Sequence, residues 1–148
     1  MQMPSGTHQF EVQLPIDLIW NFIKEMDNWA PLVPGYITHT KLNDHQSTWE
    51  FYSETGLVSK HMNLLVDIQD WVEPTLVSFQ LKGDKYNGRG RFQAESVGER
   101  TTKITGYLEI NAIGTMASMK NTVLKSVIPK KTEEMAKAIS MTLLENVR

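Results

Sequence analysis

The sequence has 148 residues, enough for one domain with its own hydrophobic core and too few for a second catalytic domain. Its 41% hydrophobic and 22% charged residues are globular proportions, which excludes extended disorder. Fifteen Lys and Arg against 17 Asp and Glu give a net charge of -2, and there is no Cys. The basic excess that neutralises a phosphate backbone is therefore missing, so no nucleic-acid partner is expected. Disulfides, thiolate metal sites and cysteine nucleophiles are excluded as well. The opening MQMPSGTHQFEV has no charged n-region and no apolar h-region, and no run of about 18 apolar residues occurs anywhere. A soluble, cytoplasmic protein is expected, folded as a single domain over residues 1–148.

The first segment alternates from Thr7 to Leu14, with Phe10, Val12 and Leu14 on one face and Gln9, Glu11 and Gln13 on the other, which predicts a half-buried strand. From Pro15 to Met26 the apolar residues Ile16, Ile19, Trp20, Ile23 and Met26 recur at helical spacing. Pro15 suits a first turn, and Asp17 suits the positive end of a helix. Asp27 or Asn28 can cap a further short turn through Trp29 to Val33, which Pro34-Gly35 ends.

Six more strands follow, over Tyr36–Asn43, Gln46–Glu54, Leu57–Ile68, Thr75–Lys82, Gly88–Val97 and Thr101–Asn111. The turn signals between them are short, so the pattern predicts an antiparallel meander. One face is apolar: Trp49 and Phe51; Met62, Leu64, Val66 and Ile68; Val77, Phe79 and Leu81; Phe92 and Ala94; Ile104, Leu108 and Ile110. The alternate positions are mostly polar and should meet water.

After Gly114 the period is helical again, with Met116, Met119, Val123 and Val127 in one register and Met135, Ile139, Leu143 and Val147 in another. Pro129 between them predicts a kink or two helical segments, the second beginning near Pro129. The whole is α+β: a curved seven-stranded antiparallel sheet around a long C-terminal helix, with two short helices after the first strand. A bent sheet and a helix cannot touch along their full length, so a cavity between them is expected.

No motif in the chain assembles a reaction centre. His8, His39, His45 and His61 have neither HxH nor HExxH spacing, and His61 falls outside the apolar register of its strand. No GxSxG elbow is present. The stretch from Gly83 to Gly90 is neither a GxGxxG nor a GxxxxGK[ST] loop and reads as a hairpin. Glu133 and Glu134 point about 100° apart on a helix, which suits a solvated first turn better than acid/base work. Lys60 shares parity with Val58, Met62 and Leu64, so it either pairs with an anionic head group or snorkels from the strand end. The methionines suit an adaptable apolar surface and equally suit a core. Residues 115–148 hold six basic and three acidic residues, net +3, which leaves -5 for the remainder; either a solvated face or attraction to an anionic surface follows.

The segment from Phe10 to Gly35, FEVQLPIDLIWNFIKEMDNWAPLVPG, resembles the opening of the SRPBCC (START-like, helix-grip) superfamily, most nearly its CoxG branch. Gly56, Asp70 to Pro74, Arg89-Gly90, Thr101-Thr102 and Gly114 follow in matching order, so the resemblance spans nearly the whole chain. It implies a helix-grip fold with a deep hydrophobic cavity used across the superfamily for lipids, sterols, quinones or polyketides. CoxG-like members are associated with carbon monoxide dehydrogenase, its maturation or its membrane attachment. No catalytic residue is carried over.

The expected function is binding of a small hydrophobic or amphipathic ligand (lipid, quinone or polyketide-like) without catalysis, by a monomer or homodimer with no metal and no cofactor. Its expected ligand-binding wall is Trp49, Phe51, Lys60, Met62, Phe79, Phe92, Leu108, Met119, Met135 and Ile139, Lys60 being a polar group that fixes orientation. Two rivals remain. One is a cyclase or hydrolase acting through Lys60, Tyr52 or a His; the other is an accessory protein docking on an oxidoreductase or a membrane surface through the basic C-terminal helix.

Overall fold

The structure is a computed structural model that describes residues 4–52 and 61–146. In chain order it forms β1 (Ser5–Val12), α1 (Ile16–Ile23), α2 (Met26–Trp29), a 3-10 turn (Ala30–Leu32), β2 (Tyr36–Lys41), β3 (Gln46–Tyr52), β4 (His61–Val72), β5 (Leu76–Lys82), β6 (Tyr86–Gly98), β7 (Thr101–Ala112) and α3 (Ala117–Asn146). The seven strands form one antiparallel sheet in the order β1-β7-β6-β5-β4-β3-β2, and α3 lies against β1 and β7. This is the helix-grip fold expected from the sequence.

The apolar parity read from the sequence is the inner face of this sheet. Trp49, Leu64, Val66, Val77, Leu81, Ala94 and Ile104 are all buried. His61 is exposed, as its register implied. One parity change was not legible: the register shifts between Ile68 and Asp70, so Trp71 pairs with Val77 and turns back to the inner row. There its ring meets Trp20 of α1 edge-on at 5.3 Å, and 45% of its surface stays exposed.

The helix expected from Pro15 to Met26 is two helices, because Glu25 is extended between them. Neither Asp27 nor Asn28 caps the turn that follows, Ala30–Leu32, which begins at Trp29 without a side-chain cap. The Asn28 amide donates instead to the Phe22 carbonyl (3.1 Å), and the Asp27 carboxylate is engaged by His39 (2.8 Å). Buried polar bonds then tie the elements together. The fully buried Thr102 hydroxyl donates to the Leu14 carbonyl (2.8 Å), and Asn121 holds both backbone groups of Ala112, at 2.7 and 3.3 Å.

Two expectations for α3 need correction. It is a single helix from Ala117 to Asn146 with Pro129 inside it, not two segments. Its sheet-facing row is Asn121, Leu124, Ile128, Thr132, Ala136, Ile139 and Leu143, whereas Met116 and Met119 are 52% and 51% exposed. Hydropathy alone chose the methionine row over one that includes Asn and Thr; those two are buried because the bonds of Asn121 to Ala112 and of Thr132 to Ile128 satisfy them. At the middle of α3 the helix meets β1 backbone to backbone. A Cβ on Gly6 would stand 2.8 Å from the Pro129 Cα, which only glycine avoids. Among the described residues no helix is long and apolar enough to cross a membrane.

Candidate functional site

Between the inner face of the sheet and α3 lies a cavity of about 610 Å³. The strands supply its floor through alternate residues, chiefly Phe51, Met62, Phe79, Phe92, Leu108 and Ile110. The helix supplies the roof through Leu124, Val127, Ile128, Met135, Ala136 and Ile139, and Ile23, Trp29 and Val33 to Gly35 complete the wall. Such a volume and such walls are those of small-molecule sites.

Of two inward glycines, one leaves the void open. Gly90 faces inward, but the Phe79 ring already fills its place, within 2.7 Å of where a Cβ would be. Gly106 faces inward between Ile104 and Leu108, and a Cβ there would meet nothing within 4 Å. The floor is therefore missing one side chain at Gly106. A glycine at an inward position of an otherwise apolar strand was the available sequence signal for this cavity.

Three polar groups of the wall are already engaged. Trp49 Nε1 donates to Ser47 Oγ (2.8 Å), Trp29 Nε1 to the Ile23 carbonyl (2.9 Å) and Thr132 Oγ1 to the Ile128 carbonyl (2.8 Å). Among the described residues, no buried side-chain nitrogen or oxygen lacks a partner. His39 stacks on Trp49 at 5.2 Å, yet it points away to bridge Tyr36 Oη (2.6 Å) and Asp27 (2.8 Å), so it locks α2 to β2 from behind the wall. Tyr52 borders the cavity with 40% of its surface exposed, its ring edge-on to His61 at 5.5 Å. No group of three His, Asp or Glu able to hold a metal occurs among the described residues.

Among the described residues two that line the cavity carry positive charge, Arg91 and Lys131, and no Asp or Glu lines it. Arg91 and Tyr107 are strand neighbours beside the inward Gly90 and Gly106, so alternation turns their side chains to the outer face. There the guanidinium lies 4.5 Å over the Tyr107 ring, and the Tyr107 hydroxyl donates to Glu109 at 2.8 Å. Burial, then the bond to and charge of Glu109, hold the Tyr107 phenol above its ordinary pKa. Lys131 differs: it belongs to the helix stripe Val127, Lys131, Met135, each of which lines the cavity.

Of the ten residues expected to form the wall, Trp49, Phe51, Met62, Phe79, Phe92, Leu108, Met135 and Ile139 line the cavity. Met119 does not; its helix position turns it to solvent, five residues before Leu124 on the sheet-facing row. Lys60 lies outside the described residues, as does Gly56. Sequence reading missed Trp29, Gly106 and Lys131.

One protein-family model matches residues 3–146. No curated protein matches the sequence. Solved structures share the fold at low identity. An aromatase/cyclase from a Streptomyces species superposes with a TM-score of 0.75 at 12% identity, covering 99% of this chain and 97% of its own. A START superfamily protein from Mycobacterium smegmatis gives 0.70 at 16% identity, over 95% and 97% of the two chains. Norcoclaurine synthase from Thalictrum flavum gives 0.68 at 16% identity, over 97% and 88%.

Proposed function

We infer, from the premise that the chain belongs to the START-like (SRPBCC) family, that it binds and carries a small hydrophobic or amphipathic molecule without transforming it. The observation that carries this reading is the 610 Å³ apolar cavity under α3, opened by Gly106. An apolar ligand of lipid, quinone or polyketide type fits such walls by contact area. Burying about 300 Å² of its surface contributes roughly 7 kcal/mol of transfer free energy, which leaves micromolar affinity after the costs of association. Residues 1–148 form one binding unit in this reading, and its nearest branch is CoxG, on the Phe10 to Gly35 segment.

Catalysis on a bound substrate is the rival, and two of the structural neighbours carry enzyme names, aromatase/cyclase and norcoclaurine synthase. Against it stands the engagement of Trp29, Trp49 and Thr132, and the placement of His39 behind the wall. Native mass spectrometry of the protein mixed with a lipid extract, alongside displacement of an environment-sensitive dye, tests the reading. A retained, chemically unchanged mass and a displaced dye are expected. No retained mass and no dye binding would refute the carrier, and a retained mass that changes on incubation would establish the enzyme.

A further inference from the structure

Building on the carrier reading, we propose that the ligand is an amphiphile with an anionic end, and that Lys131 at the cavity mouth receives that end. Lys131 lines the cavity, and 46% of its side chain is still exposed, so it stands where the apolar interior meets water. Val127 and Met135, one turn before and one turn after it, line the same cavity and are apolar. A lysine at this place in the stripe puts a half-exposed ammonium at the edge of an apolar wall.

Three further observations make this charge available. The ion pair that Lys131 makes is with Glu134, long at 3.7 Å and with both side chains about half exposed. Such pairs contribute little and exchange easily. Among the described residues no Asp or Glu lines the cavity, so none of them neutralises the ammonium from inside. The other lining cation, Arg91, is held on the outer face by the Tyr107 ring (4.5 Å) and by Gln93 (3.0 Å). An entering carboxylate or phosphate monoester can accept from the Lys131 ammonium while its chain fills the space above Gly106.

The test compares three probes of equal chain length, laurate, dodecyl phosphate and 1-dodecanol, kept below their micelle concentrations. Binding is read from the fluorescence of Trp29 and Trp49, which line the cavity. For the wild type, at least one anion should bind about tenfold tighter than the alcohol at low salt, and the advantage should shrink as salt rises. Whichever anion leads tells carboxylate from phosphate. Lys131→Gln should reduce the advantage to about twofold or less. Glu134→Gln, which frees the lysine, should enlarge it by roughly threefold. Alcohol binding with no anion advantage, or an advantage that survives in Lys131→Gln, overturns the role of Lys131 and leaves the carrier reading standing. Failure of all three probes to bind overturns both.

Discussion

Phe79 and Gln80 are adjacent in β5 and face opposite ways: Phe79 lies across Gly90 and lines the cavity, while Gln80 is exposed on the outer face. Phe79→Asp should therefore lose about 3 kcal/mol or more, because an unpaired carboxylate enters an apolar wall and the ring over Gly90 is removed. Gln80→Asp should stay within about 0.5 kcal/mol of the wild type. Urea denaturation of both variants checks this, and equal losses would show that the faces are misassigned. This alternation was legible because strand parity depends only on sequence spacing. What escaped at the same scale has particular physical causes. Met119 misled because the sheet-facing row of α3 contains Asn121 and Thr132, whose burial is supported by hydrogen bonds that hydropathy does not see. Trp71 escaped because the register shift after Ile68 reverses parity beyond it. Lys131 escaped because an exposed helical lysine looks the same in sequence whether a cavity or bulk water lies beside it.

At the scale of elements, the change from a period of two to a helical period marked the strands to within a few residues, apart from the ends expected at Glu54 and Leu57, which lie outside the described residues; the break at Glu25 and the continuity of α3 through Pro129 were hidden. An interior proline removes the amide that would reach the Lys125 carbonyl and crowds that carbonyl with its ring. The helix persists because its sheet-facing row continues on both sides, Leu124 and Ile128 before the proline and Thr132 and Ala136 after it. Packing against β1 and β7 outweighs a local cost of about 3 kcal/mol. Pro129 is itself exposed, so Pro129→Ala removes little buried surface while restoring a backbone bond. The melting temperature should rise by roughly 2–4 °C, equivalent to about 1 kcal/mol. A fall would mean that the shape Pro129 imposes is needed for the close approach of Gly6, whose missing Cβ already lies at the limit of contact with the Pro129 Cα.

For the whole molecule, a sheet that curves around one long helix implies a void, so the cavity follows from the order and length of the elements alone. The void's position depended on Gly106, and that gives a substitution whose two effects have opposite signs. The backbone at Gly106 is not left-handed, unlike that of Gly35 (φ 82°) and Gly114 (φ 83°), so a side chain meets no conformational penalty there. A Cβ at Gly106 meets nothing within 4 Å, so Gly106→Leu should project an isobutyl group into the cavity without displacing the wall. Burying that group is worth up to about 2 kcal/mol, less the cost of settling it among Phe92, Leu108 and Met135. The variant should thus melt higher than the wild type while binding an apolar dye at least tenfold more weakly. Ligand should raise the wild-type melting temperature with concentration and leave that of Gly106→Leu unmoved, since stabilisation by a ligand requires binding to the folded state. A variant that merely misfolds would lose both stability and binding, so the pairing of gain with loss is diagnostic. Undiminished dye binding in a stabilised Gly106→Leu would place the ligand outside the cavity and refute the carrier reading at its structural root.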